Sequence, residues 1–594
     1  MRKMIVMCCI ASLAAMMASC NESGTSDATA LFPGCPQPVQ QPEPGKAVRL
    51  MVPMRDCVRL ATNVILPEGE GPWPVIVIRT PYGRSQSDFQ PLPGVGHILF
   101  AANGYAVVEQ DTRGRFESEG EFIPYLVERA DTEDTLDWIV RQPWYNGKLG
   151  VWGLSYLGLT AELAMVARPE LVDAAFVGEI RSDFYAAAFE HGNVRADTIG
   201  LWLLGVLEKH ELSFSTEEEQ ETAMLQFPLL EGDRRVIGEN IDFIDDFAQH
   251  LTNDAFWTAD LNPDLLAASE IPIFMFDGWF DLFAGGMLED WANLTARRGE
   301  RDLFITVGPW THLMGFVEQD YPFPEGGTIA NFMADMLAFF DHYLKDEGTF
   351  SPARARYYDG GAGMWREDDE LFPAAATTWR LHADLATTTP TCGGGAHRLS
   401  DAAPAGEATT RFVYDPLDPV TFISSNILDL YGRDGVKVDN DWCTRDDVVM
   451  FETDPLTAAV EVAGRITAHL DVASNAPDTS FLVRLSVVDS DGAAYNLREG
   501  AMLLSHREGD DRRVSYTPGE TVHLAIPLTR LRWTFQPGQR LRMVVTSSGY
   551  PFIAPYPNTG GDDWLSAADP VTAVQTIVTG GGVSGSGLEL DVLR

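Results

Sequence analysis

From residue 46 to 182 the chain repeats one pattern: a short run of apolar, largely β-branched residues, a break marked by glycine, and stretches with helical period. The apolar runs are 48–52, 57–66, 74–79 ("PVIVIR"), 105–110 ("YAVVEQ"), 149–153 ("LGVWG") and 173–179 ("DAAFVGE"). Runs this apolar suit strands covered on both faces. Between them, "VERADTEDTLDWIVRQ" (127–142) carries apolar residues at Leu136, Ile139 and Val140 and acids in its first half, the mark of an amphipathic helix with a favourable N-terminal dipole. "YLGLTAELAMVARP" (156–169) reads as a second helix, ended by Pro169. Strand alternating with helix predicts an α/β fold with a doubly wound parallel sheet.

The period then changes twice. Residues 183–265, including "LWLLGVLEKHELSF" and "DFIDDFAQHLTNDAFWTADL", have helical period and few strand signals, which predicts an inserted helical cap. Sheet signals resume with "IPIFMFD" (271–277) and "DLFITVG" (302–308), joined by a helix around "GMLEDWANLTARRG"; a last helix near 331–346 follows. Residues 46–182 and 266–375 therefore read as two halves of one core. After about residue 376 the period becomes two, as in "RITAHLDVAS" and "LRMVVTSSG", and 376–594 read as an all-β sandwich or jelly roll.

The N-terminus belongs to neither pattern. A basic start and an apolar run from Met4 to Met17, too short to span a bilayer as a mature helix, read as an export signal over residues 1–19. Its end, "MASC", resembles the cleavage and lipidation box of bacterial lipoproteins, with Cys20 as the acylated residue. Residues 20–45, rich in Pro, Ser, Gly and Gln, read as a tether. The expectation is an exported protein held in the bacterial cell envelope by a lipid anchor, otherwise periplasmic or secreted.

Beyond Cys20 four cysteines remain, Cys35, Cys57, Cys392 and Cys443, an even number that allows two disulfides in an exported chain. Proximity favours Cys35 with Cys57 and Cys392 with Cys443. No C-x-x-C or His/Cys cluster at ligand spacing occurs, so neither metal nor cofactor is expected. A net charge of −43 would repel a phosphate backbone, which argues against nucleic acid as a partner.

The chemistry centres on "LGVWGLSYLGLT" (149–160). An apolar strand ends, Ser155 follows, and a helix begins at once, with Gly153 and Gly158 supplying the room that such a turn needs. A serine nucleophile needs a hydrogen-bonded base, and the base needs an acid, in the chain order Ser, Asp or Glu, His. Of eleven histidines, His312 in "VGPWTH" is the one that follows a late core strand by a loop. The acid should leave the preceding strand, where "FMFDGWFD" offers Asp277 and Asp281.

Six blocks, "RTPYGR" (79–84), "QDTRGRFESEGEF" (110–122), "QPWYNGKLGVWGLSYLG" (142–158), "DGWFD" (277–281), "VGPWTH" (307–312) and "SNAPDTSFLVRLSVVDSDG" (474–492), resemble the cocaine esterase and X-Pro dipeptidyl-peptidase (CocE/NonD) family of serine hydrolases. The resemblance implies an α/β-hydrolase core, a helical cap inserted after the nucleophile and a C-terminal jelly roll. It selects Asp281 over Asp277, and it implies an oxyanion hole formed by the backbone N–H of Tyr156 and the phenol of Tyr82. Asp111, Arg113 and Glu119 are read as structural, knitting a loop by charge-assisted hydrogen bonds.

The resemblance covers esters, amides and X-Pro peptides. Members acting on α-amino acid esters carry acids two and three positions after the catalytic aspartate, where this chain has Phe283 and Ala284. Carboxylic ester hydrolysis is the expected activity on a small-molecule ester or short-peptide substrate, with X-Pro dipeptide release or amide acylase activity as the alternative. A non-catalytic ligand-binding surface lipoprotein is the reading of another class.

Overall fold

The apolar runs of the first half pair into one ten-stranded sheet. In chain order the strands are β1 (Ala47–Pro53), β2 (Arg59–Ile65), β3 (Trp73–Thr80), β4 (Ala106–Asp111), β5 (Tyr145–Leu154) and β6 (Ala174–Gly178). A two-residue hairpin follows, β7 (Phe189–Glu190) with β8 (Asn193–Val194), then β9 (Ile273–Phe280), β10 (Leu303–Thr311), β11 (Ala355–Asp359) and β12 (Met364–Asp368). The structure is a computed structural model that describes residues 31–84, 97–206, 214–299, 302–314, 319–324, 332–374, 376–389, 396–438, 440–581 and 585–593. The expected export signal, Cys20 and Cys392 lie outside the described residues, so the pairing of Cys392 with Cys443 does too.

Across the sheet the order is β1-β2-β4-β3-β5-β6-β9-β10-β11-β12. The stretch from β4 to β11 is parallel throughout. The two ends are antiparallel, because the links β1 to β2 and β11 to β12 are too short for a crossover. Strands β4, β9 and β10 are buried along their whole length, as expected of a sheet covered on both faces. The core helices are α1 (His97–Ala102), α2 (Glu128–Ile139) and α3 (Tyr156–Ala167).

Between β6 and β9 the described residues form the β7–β8 hairpin and short helices, among them α4 (Tyr185–Ala188), a π-helical turn over Asp197–Leu203, α5 (Glu217–Met224), α6 (Gly232–Val236), α7 (Asp242–Gln249), α8 (Ala255–Thr258) and α9 (Pro263–Ala267). Two-residue strands are too short to show an alternation, which is why the hairpin has no signature in the sequence. The long helices α10 (Ala284–Arg298) and α11 (Phe332–Lys345) complete the core.

From Thr377 to Leu593 the chain forms a twelve-stranded antiparallel-rich β domain around the strand Val460–Ser474, which pairs with four others. This domain grips both others. Arg530 holds Glu289 of α10 through two nitrogens at 2.6 and 3.0 Å, and Thr534 donates to Asp359 at 2.6 Å. His191 in the β7–β8 turn meets Asp510 at 2.9 Å.

A disulfide joins Cys35 to Cys57 and pins the segment before β1 to the β1–β2 turn. The loops beside β4 are held by charge: Arg84 pairs with Asp111, Arg113 with Asp131 and Asp56, and Arg59 with Glu119. Asp111, Arg113 and Glu119 thus act as loop ties.

Candidate active site

Strand β5 ends at Leu154, α3 begins at Tyr156, and Ser155 alone makes the turn, at φ 56° and ψ −132°. A residue with a side chain holds such a backbone only where its surroundings force it. Here Ser155 N–H donates to Gly178 O at 2.9 Å, and Leu159 N–H to Ser155 O at 3.0 Å. A Cβ on Gly153 would lie 2.0 Å from Leu157 O, and one on Gly178 would lie 2.3 Å from Phe276 O. A Cβ on Gly158 would likewise lie 2.8 Å from Gly178 O, so Gly153 and Gly158 are required by close backbone approach, as the spacing suggested, and Gly178 adds a contact that the spacing did not mark.

His312 is the first residue beyond β10, and Asp281 the first beyond β9. His312 Nε2 lies 2.9 Å from Ser155 Oγ, and its Nδ1 lies 2.5 Å from Asp281 Oδ2. Asp281 is fully buried, and its other oxygen accepts from Phe283 N–H at 2.5 Å. The Phe283 ring meets the imidazole edge-on at 5.7 Å. Asp277 does not reach the histidine: β9 continues to Phe280, so Asp277 sits inside the strand, with one oxygen capping Gly278 N–H at 2.8 Å. Burial, and then the neighbouring Asp281, hold its pKa well above the carboxylate range.

Tyr82 stands beside the nucleophile. Its oxygen accepts from Trp202 Nε1 at 3.0 Å, which leaves the phenolic proton to be donated. Burial pushes its pKa up to about 12, against the smaller lowering effects of the Trp202 and Ser155 hydrogen bonds. Tyr156 turns its side chain away, donating to Glu128 Oε1 at 3.1 Å and accepting from Tyr125 N–H at 3.2 Å. Its own N–H lies in the first turn of α3, where the helix offers no acceptor and a negative oxygen is favoured.

Three residues that carry no local signal complete the arrangement. Trp202 comes from the π-helical turn of the cap and stacks on Tyr156 at 5.8 Å. Together with Tyr125 and Phe184, whose rings are 5.1 Å apart, it forms an aromatic wall. Asn426, from the β domain, donates to the carbonyls of Trp279 and Asp281 at 3.1 and 3.0 Å, fixing the loop that carries the acid. Glu179, directly after β6, places a carboxyl oxygen within 4.8 Å of the ligand atoms of Asp281 and His312. These three are the described side chains that could approach a metal together, and Asp281 and His312 are already bonded to each other.

An elbow serine after β5, an acid after β9 and a histidine after β10, all at one edge of a largely parallel sheet, define the α/β-hydrolase class. Residues 56–314 match the X-Pro dipeptidyl-peptidase (S15 family), and residues 348–584 match the X-Pro dipeptidyl-peptidase C-terminal non-catalytic domain. The chain is 32% identical over 546 residues to the cocaine esterase of Rhodococcus sp. (strain MB1 Bresler), covering 87% of this chain and 93% of that one. It is similar in structure to an aminopeptidase from a marine sediment Thaumarchaeota archaeon, with a TM-score of 0.78 and 23% identity over 97% of this chain and 99% of that one. An α-amino acid ester hydrolase matches with a TM-score of 0.78 and 24% identity over 96% and 100%. The chain belongs to the cocaine esterase and X-Pro dipeptidyl-peptidase (CocE/NonD) family, and it is a serine hydrolase.

Proposed function

We propose that this protein hydrolyses carboxylic esters through an acyl-enzyme on Ser155, with His312 as general base and acid and Asp281 as the group that orients it. The unbroken relay from Ser155 Oγ to His312 Nε2 at 2.9 Å and from His312 Nδ1 to Asp281 at 2.5 Å carries the reading. Ser155 Oγ attacks the acyl carbon while His312 Nε2 takes its proton. The carbonyl oxygen becomes an alkoxide facing the Tyr82 hydroxyl and the Tyr156 N–H, and His312 returns the proton to the departing alcohol. Water then repeats the sequence on the acyl-enzyme.

The aromatic wall of Tyr125, Phe184 and Trp202 suits an apolar or aromatic acyl or alcohol group. Phe283 and Ala284 are apolar and buried where α-amino ester hydrolases would place acids, which disfavours that subclass. The match over residues 56–314 favours X-Pro dipeptide release as the second reading. A fluorophosphonate probe should label the wild type and leave Ser155→Ala unlabelled; equal labelling of both would remove Ser155 from the role. A short-chain aryl ester should be turned over faster than Ala-Pro-anilide, and the reverse order would put the peptidase reading first.

The same reading places the protein outside the cytoplasm, exported by residues 1–19 and attached to the cell envelope through a lipid on Cys20. The Cys35–Cys57 disulfide supports an oxidising compartment. Wild type should partition into the detergent phase and Cys20→Ser into the aqueous phase; wild type found in the aqueous phase would rule the anchor out.

A further inference from the structure

Asp281 has a neighbour of its own chemistry. Glu179 follows β6, which lies in the sheet between β5, the strand that delivers Ser155, and β9, the strand that delivers Asp281. Its backbone is left-handed, at φ 52°, a conformation that a glutamate adopts only under constraint. The constraint is visible: Glu179 N–H donates to Phe276 O at 3.1 Å, and the preceding Gly178 passes too close to that strand for any Cβ.

The residue is 2% exposed, and a carboxyl oxygen of Glu179, one of Asp281 and a ring nitrogen of His312 all lie within 4.8 Å of one another. Among the described residues no cation pairs with it. The titratable groups around it are Asp277 within β9, Asp281 just past its end and His312 beyond β10. Farther out, Arg498 of the β domain acts on Asp277, and Arg195 of the cap acts on Asp281.

We propose that Glu179 is a second acid for His312, a positioning residue that backs Asp281 in holding the imidazole and carries the negative charge when Asp281 cannot. This rests on the triad reading above. Two buried carboxyls this close do not both ionise. Burial, and then Asp281 and Asp277, keep the Glu179 pKa well above the carboxylate range, so Glu179 is the member that holds a proton. Replacing Asp281 by a neutral residue removes one of the repulsions that keep Glu179 protonated. Its carboxyl then gives its proton to solvent at lower pH and presents a carboxylate to the imidazolium that forms during acyl transfer. No other bond changes.

The test compares Asp281→Asn, Glu179→Gln and the double variant on an aryl ester across pH. Loss of activity in Ser155→Ala and in His312→Ala tests the nucleophile and base independently. Loss of a sole orienting carboxylate typically costs about 10⁴-fold in turnover. With a second acid present, Asp281→Asn should lose only about 10²-fold in kcat with KM little changed, and its residual activity should rise with pH as Glu179 ionises. The double variant should fall to the full ~10⁴-fold loss and show no such rise.

Equal residual activity in Asp281→Asn and the double variant at every pH, with wild-type activity intact, would overturn the role of Glu179 and leave Ser155 and His312 standing. A second measurement is NMR titration of His312 in the Asp281→Asn background, where adding Glu179→Gln should move the titration to lower pH because the substitute carboxylate is lost. Identical titration curves in folded Asp281→Asn and double-variant proteins would overturn the proposal as well.

Discussion

A serine hydroxyl is a weak nucleophile, and each neighbour of Ser155 changes that by one identifiable means. His312 offers a lone pair at 2.9 Å, Asp281 fixes which nitrogen offers it, and Tyr82 supplies a donor whose proton is not lost below a pH of about 12. A donor aimed at the developing alkoxide acts on the transition state more than on the bound substrate. Tyr82→Phe keeps the ring and deletes that donor. It should lower kcat by about 10²- to 10³-fold, equivalent to about 2.7–4 kcal/mol, with KM nearly unchanged in steady-state kinetics on an aryl ester. A matching rise in KM with kcat intact would assign Tyr82 to substrate binding instead.

At the scale of elements, the site is a property of strand ends. Residues on successive parallel strands arrive at one edge, and the turn after β5 can face that edge only because Gly153 lets Leu157 O approach to where a Cβ would lie at 2.0 Å. Since the clashing atom is backbone, no side-chain movement relieves it. Gly153→Ala should therefore cost at least the ~1–3 kcal/mol typical of overpacking, and it should abolish fluorophosphonate labelling in any protein that still folds. Thermal unfolding and probe labelling check both halves. Labelling at the wild-type rate would show that the elbow tolerates a methyl group.

At the scale of the molecule, the three parts are tied together around the site. Asn426 of the β domain holds the Asp281 loop, and His191 of the cap meets Asp510 of the β domain. Asn426→Ala should lower kcat several-fold with no change at Ser155 itself, readable as slower probe labelling, because the acid loop loses two hydrogen bonds. Burial disfavours a charged His191, yet the Asp510 carboxylate outweighs it and raises the imidazole to about 9. Relative to an unfolded histidine near 6.5, the contact contributes fully at low pH and is lost as pH rises through about 9. The unfolding temperature should therefore fall between about pH 6.5 and 9. His191→Gln should begin lower and show less of that fall.

The chain by itself determined its elements and much of its chemistry. Period-two and period-3.6 patterns are written into local burial, so the core strands, the long helices and the change to an all-β domain after 376 are legible, as is the Gly-Leu-Ser elbow of β5 and α3. Spacing brought His312 to the end of a strand and favoured Asp281 as its acid, but it kept Asp277 in reserve. The resemblance chose Asp281, and the extension of β9 to Phe280 supplies the physical reason, by carrying Asp277 into the strand and Asp281 past its end. Trp202, Asn426 and Glu179 were invisible for the same reason: each acts on a group far away in the sequence, and side-chain contact between distant segments is decided by packing, which no local pattern encodes.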